Sequence, residues 1–302
     1  MRTKLALLIL VTLLAGGLVF AGGQGEQSAS VGAKNFTEQY IMGHMISLLL
    51  EDSGFSTSTN FGLSSNAVRN ALTTGQIDMY AEYTGTAWVV YLDNEQQIND
   101  PVELYESVKE QDLEENDIVW LDRIPVNNTY ALAVKEEFAQ EHEIESLTDL
   151  AELVNEDPDE YSAAIDFEFF ERPDGFPALM EHYDMNLPQG QVNTMEIGLS
   201  YEALNRGDVQ IAMVFATDGK LRRFNLQVLE DDRNFFTPYN LAVCVRQPVL
   251  DEYPEIEEIL EPLANVLDQE TMTNLNYRVD AEEQEPEDVA QAFLEEQGLL
   301  GE

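Results

Sequence analysis

Apolar and polar positions alternate along this chain in short blocks, and from Val31 onward each block reads as a strand or a helix. SVGAKNF is a strand with its exit loop, EQYIMGHMISLLLEDSG is a helix stopped by Gly54, and FSTSTNFG is a polar, β-branched second strand. SNAVRNALTTGQ then predicts a helix with Ser65 or Asn66 as N-cap and Gly75 as its stop, followed by the strand IDMYAEY. Strands alternating with helices imply parallel pairing, with loops gathered at the carboxyl ends of the strands, where ligands bind in α/β proteins.

A second series begins near NNTYALAVKEEF and runs through the helix SLTDLAELVNEDP, the strand YSAAIDF, the helix FPALMEHYD and the segment GLSYEALNRGDVQIAMVFATDG. Within it YEALNRGDVQIAMVF echoes VRNALTTGQIDMYAEY: helix, Gly stop, polar residue, apolar strand. The echo falls short of a fixed-period repeat but predicts two similar lobes. FFTPYNLAVCVR reads as an extended crossing, and Glu- and Leu-rich helices follow it. The expected architecture is therefore α/β and two-lobed, each lobe a mainly parallel sheet flanked by helices, with two crossing strands as hinge and the last helices returning to the first lobe. Lobe 1 should comprise residues 31–129 plus 238–302 and lobe 2 residues 130–237, with hinge motion near 126–130 and 234–240. A cleft must lie between them.

The amino terminus has a different pattern. Arg2 and Lys4 precede the apolar run LALLILVTLLAGGLVF and then small residues, which predicts a secretory signal over residues 1–21, cut after Ala21, with retention as a membrane anchor the alternative. Residues 22–30, GGQGEQSAS, read as a flexible spacer. No cysteine stands at the signal's exit for lipid attachment; Cys244 is the only one, and in LAVCVR it reads as a buried core residue with no internal disulfide partner. The expectation is an exported, soluble protein on the periplasmic or extracellular side of the cytoplasmic membrane.

Charge narrows the partners. Fifteen Lys and Arg face 58 Asp and Glu, a formal charge of -43, which disfavours nucleic acid and anionic lipid. The acids interleave with apolar residues at helical spacing, as in DEYPEIEEILE, so they predict a solvated acidic surface suited to high salt, where ions screen self-repulsion. Enzyme chemistry lacks a candidate: His44, His142 and His182 are scattered without metal-ligand spacing, and nucleophile-elbow, phosphate-loop and dinucleotide motifs are missing. No catalytic residue, metal or cofactor is expected; a secreted hydrolase using a carboxylate pair is the rival reading.

What stands out instead is where the scarce cations and several rings fall. Lys34 follows the first strand and Arg172 lies in FFERPDGF, while Tyr83 and Thr86 belong to EYTGT, Tyr130 to NNTYAL, Phe215 to VFATDG and Tyr239 to FFTPYN. All are at predicted strand exits or crossings. In DMYAEYTGTAW, strand alternation puts Met79, Ala81 and Tyr83 on one face and Tyr80 and Glu82 on the other, so Tyr80 and Trp88 read as packing and Tyr83 as ligand-facing.

VGAKNFTEQYIMG, GLSSNAV, IDMYAEYTGTAW, NNTYALAV, FATDGKL and VLEDDRNFFTPYN together resemble the substrate-binding protein of osmoprotectant ABC importers, the glycine betaine, choline and carnitine binding family, from about Val31 to the carboxyl terminus. The resemblance implies the type II periplasmic-binding fold, lobe closure over the ligand, and delivery by a monomer to a membrane permease with a separate ATPase. It also implies that Tyr83, Tyr130, Phe215 and Tyr239 cage a trimethylammonium head, which offers no N–H donor and is held by ring faces at roughly 0.5–2 kcal/mol each. Lys34, Thr86 and Arg172 would meet a carboxylate end, with Gln39 and Asn128 as secondary contacts and Asp78 set aside as structural. The family often has Tyr where this chain has Phe215, which removes one polar contact but keeps a ring. Choline would leave Lys34 and Arg172 unpaired at a cost of about 1–3 kcal/mol, so glycine betaine or proline betaine is expected, with choline or carnitine the alternatives.

Overall fold

The computed structural model describes residues 27–301. The predicted signal and all but the last residues of the predicted spacer lie outside them. Eleven strands form two sheets among the described residues. The first contains β1 (Ser28–Lys34), β2 (Ser56–Leu63), β3 (Met79–Tyr83), β4 (Ile118–Trp120), β5 (Ile124–Asn127) and, from far along the chain, β11 (Asn240–Arg246), in the order β2-β1-β3-β11-β4, with β5 beside β11. The second contains β6 (Tyr130–Lys135), β7 (Ala163–Asp166), β8 (Val192–Met195), β9 (Ile211–Phe215) and β10 (Leu226–Val228), ordered β10-β6-β9-β7-β8.

β1 begins at Ser28, inside the stretch read as spacer, because Asp78 ties it down: the backbone N–H and hydroxyl of Ser30 both donate to its Oδ2, at 2.8 and 2.7 Å. Arg246 holds the other oxygen at 2.7 Å, which makes Asp78 a strut across the sheet. β1 runs parallel to β2 and β3, and β7 parallel to β8 and β9, as strand-helix alternation requires. The sheets as wholes are mixed, however. β11 enters antiparallel to β3, β4 and β5 because it arrives from the other lobe, and β6 lies antiparallel to β9 and β10.

The echo in the sequence is a real structural echo. The helices Ser65–Thr73 and Ile197–Arg206 each end at a glycine with positive φ, Gly75 at 75° and Gly207 at 79°. The next residue donates back into the helix in both, Gln76 to Ala71 at 2.8 Å and Asp208 to Ala203 at 2.9 Å, and the chain then turns into β3 or β9. The N-cap of the first of these helices is Ser64, one residue earlier than predicted, its hydroxyl accepting from Ala67 N–H.

β3 separates its side chains as alternation demands. Met79, Ala81 and Tyr83 join the large core, whereas Tyr80 joins a smaller cluster with Trp88, Trp120 and Cys244. The carboxyl-terminal helices divide their contacts. Pro286–Glu296 packs on Thr37–Asp52 of the first lobe, but Gln269–Asp280 also packs on Gly219–Arg223 of the second, where Gly219 approaches the Tyr277 backbone so closely that a Cβ would stand 2.4 Å from its Cα.

Candidate functional site

The ends of the strands face each other across the two sheets and enclose a narrow pocket. Each sheet supplies one pair of neighbouring rings. In the second, antiparallel register sets Tyr130 opposite Phe215, ring centroids 5.2 Å apart. In the first, Tyr83 closes β3 while Tyr239 leads into β11, the strand beside it. The Thr84 hydroxyl donates to the Pro238 carbonyl at 2.9 Å and accepts from Asn240 N–H at 3.0 Å, locking EYTGT to PYN. Tyr239 stands edge-on to Tyr130 at 5.4 Å, so the two pairs meet.

Phe36 adds a fifth ring that sequence reading missed, 4.9 Å from Phe215 and 6.2 Å from Tyr83. It sits in KNFTEQ between Lys34 and Gln39, as the residue before the helix Thr37–Asp52, and its neighbours in that motif were the available signal. Lys34, Tyr83, Thr86, Asn128, Tyr130, Phe215 and Tyr239 all line the pocket; Gln39 and Arg172 stand behind its wall. Gln39 donates to the Ala81 carbonyl at 2.9 Å and to the Tyr83 hydroxyl at 3.2 Å, so it orients a ring.

The cations carry a correction. Lys34, 3% exposed, is paired with Glu82 at 2.5 Å, and its ammonium lies 5.2 Å from the centre of the Tyr83 ring. Arg172 makes a bidentate pair with Asp174, Nε to Oδ1 at 2.8 Å and Nη2 to Oδ2 at 2.7 Å. Neither is an unmatched positive charge waiting for a carboxylate, so the expected penalty against choline does not follow from them. Arg172 instead spans the cleft: it donates to Thr86 at 3.4 Å and Tyr239 at 3.2 Å in the first lobe and stands over the Tyr130 and Tyr239 rings at 5.1 and 5.8 Å.

Two ring hydroxyls end on carboxylates. Tyr239 donates to Asp174 Oδ2 at 2.7 Å, and Tyr83 donates to Glu38 Oε1 at 2.8 Å. Burial pushes both hydroxyls well above the usual phenol range, the carboxylates adding to it, so both remain donors. Glu38 is itself fully buried and accepts three more bonds: from Asn128 at 3.2 Å, from the Thr217 hydroxyl at 2.6 Å and from Asn276 at 3.1 Å. Those donors come from the segment between β5 and β6, the turn after β9 and the helix Gln269–Asp280. Burial raises its pKa and the four donors oppose the rise.

Asp166 and Glu168 bring acid to the pocket from the second lobe. Asp166 caps the short helix Phe167–Glu171 by accepting from Glu168 and Phe169 N–H, and burial raises its pKa to about 6. A pocket of rings backed by carboxylates, with the local lysine and arginine already neutralised, is suited to a cation that cannot donate hydrogen bonds. A wider, more open cavity lies next to it, sharing Tyr239 and edged by Asp174, Trp88, Phe235 and Phe236.

Comparison with known proteins agrees over nearly the whole chain. It is 37% identical over 293 residues to the glycine-betaine-binding protein of Pseudomonas aeruginosa, covering 95% of this chain and 94% of that one. It is 36% identical to the ergothioneine transport permease/ergothioneine binding protein of Helicobacter pylori over 91% of its own length, spanning 48% of that longer chain. Among solved structures, a glycine betaine/carnitine/choline ABC transporter protein superposes with a TM-score of 0.73 at 28% identity, over 90% of this chain and all of that one. The model of the substrate-binding domain of ABC-type glycine betaine transport systems matches residues 28–296, and the chain belongs to that family, with its two-lobed periplasmic-binding fold.

Proposed function

We propose that this protein is the exported binding component of an ABC importer, that it captures a trimethylammonium compound carrying a carboxylate, and that glycine betaine is its first ligand. It has no catalytic step of its own; it closes on the ligand and hands it to a membrane permease driven by a separate ATPase. The observation that carries the reading is the ring of Phe36, Tyr83, Tyr130, Phe215 and Tyr239 around one pocket, with two of the hydroxyls bonded to carboxylates. Ring faces attract a quaternary ammonium and tolerate its loss of water, because it has no N–H donor that needs an acceptor. Glycine betaine and ergothioneine, named for the two relatives, share a trimethylammonium group and a carboxylate.

For the carboxylate end, donors lining the pocket include Asn35, Ser65, Thr86, Asn128 and the ammonium of Lys34, one of whose three donors serves Glu82. Because Lys34 and Arg172 have acidic partners of their own, discrimination against choline should be modest. Calorimetric titration with glycine betaine, choline and carnitine tests this directly. Glycine betaine should bind tightest and choline within about one order of magnitude, the worth of one unmade polar contact. In the same measurement Arg172→Ala should weaken all three alike, because it removes a strut between lobes. Absence of binding by all three at low and high salt would refute the reading.

A further inference from the structure

Charges around the rings do not balance. Lys34 is cancelled by Glu82, and Arg172 by Asp174 with Glu168 at 3.7 Å. Glu38 is buried as deeply as any of them, yet the described ion pairs do not include it, and its four partners are neutral donors. A buried carboxylate without a cation is costly, and neutral donors offset only part of that cost. Two of those donors belong to residues that line the pocket, the Asn128 amide and the hydroxyl of the Tyr83 ring, and only the second is part of a ring.

Resting on the quaternary-ammonium reading above, we propose that Glu38 sets the strength and charge selectivity of the site through Tyr83. A phenol whose hydroxyl donates to a carboxylate gains electron density on its ring, and the face of such a ring attracts a cation more strongly. The bound cation in turn supplies the positive charge that Glu38 lacks in the free protein. Glu38 does not touch the ligand; it is a positioning residue acting through the Tyr83 hydroxyl. Its other bonds, to the turn after β9 and to the helix Gln269–Asp280, make that hydroxyl bond a feature of the assembled two-lobed state.

A pair of probes differing only in charge tests this: glycine betaine, and tert-butylacetate, in which carbon replaces the quaternary nitrogen. In the wild type, the ratio of their affinities reads the charge contribution of the site. Glu38→Gln should lower that ratio by about tenfold, the upper range of one ring contact, with tert-butylacetate nearly unaffected. Tyr83→Phe, which keeps the ring and breaks the link, should lower it comparably, and adding Glu38→Gln to Tyr83→Phe should change it little further. An unchanged ratio in Glu38→Gln, equal weakening of both probes, or an undiminished effect of Glu38→Gln in the Tyr83→Phe background would overturn the proposal. Should Glu38→Gln not fold, Tyr83→Phe decides alone: a lowered ratio supports the link and a wild-type ratio overturns it. Failure of the wild type to bind glycine betaine at all would instead count against the functional reading.

Discussion

At the residue scale, the acids lining the pocket predict a pH dependence of ligand binding. Asp166 ends β7 and lines the pocket, facing Glu168 and Glu196, and burial lifts its pKa from 3.8 to about 6. Its folded pKa exceeds the unfolded one, so its contribution to stability is complete below about 4 and lost as pH rises through about 6. A cation in the pocket favours the ionised form and reverses that preference. Affinity for glycine betaine should therefore rise between about pH 5 and pH 7 and then level off, while Asp166→Asn, which preserves the helix cap, should flatten the profile. Titrations at stepped pH check this; an identical slope in the variant would exonerate Asp166. Glu38 was the site residue hardest to read from sequence. A glutamate in the first turn of a helix ordinarily faces water and complements the helix dipole, and nothing local reveals that Thr217 and Asn276 will bury it. Lys34 and Arg172 were legible as unusual cations, but Glu82 lies 48 residues from Lys34 and the cross-cleft contact Thr86 lies 86 from Arg172, whereas Asp174 stands only two residues from Arg172.

At the scale of elements, EYTGT shows how a turn can act as a template for a ring. Gly85 has ordinary negative φ, so its need for glycine comes from space: a Cβ would lie 2.9 Å from three carbons of the Tyr239 ring. Gly85→Ala should displace Tyr239 and weaken ligand binding by about fivefold or more, in line with overpacking costs of roughly 1–3 kcal/mol. Thermal unfolding and titration measured together check it, and an affinity equal to wild type would show that the ring's position is not critical. The twin helix-glycine-strand units were readable in sequence because both stops use the same backbone device and both strands are apolar. The mixed character of the sheets was not. Strand direction depends on which lobe a strand arrives from, and local pattern is the same for a parallel and an antiparallel neighbour.

For the whole molecule, two lobes are held by more than their crossing strands. Gln269–Asp280 leans on both, with Lys220 3.5 Å from Asp280 and the Arg222 guanidinium 4.7 Å from the Tyr277 ring, so this helix is a second link between the lobes. The other whole-molecule property is charge. A formal charge of -43 opposes compaction unless it is screened, and screening lengths fall from about 30 Å at 0.01 M to about 3 Å at 1 M salt. The melting temperature should rise steadily across that range, by thermal unfolding in sodium chloride. A flat response would indicate that the acids are too well separated to repel.

Sequence by itself determined the alternation of strands and helices, the acidic composition, the family motifs and four of the residues whose rings line the pocket, because each depends on periodicity, on composition or on short contiguous stretches. Tertiary structure decided the partners: Glu38 with Tyr83, Lys34 with Glu82, Arg172 with Asp174 and the opposite lobe, and Phe36 among the rings. Those pairings depend on where burial removes water, and burial is a property of the packed chain. A carboxylate that is one more solvated acid in the sequence thus becomes, once enclosed behind Tyr83, the buried acceptor of four hydrogen bonds from distant parts of the chain.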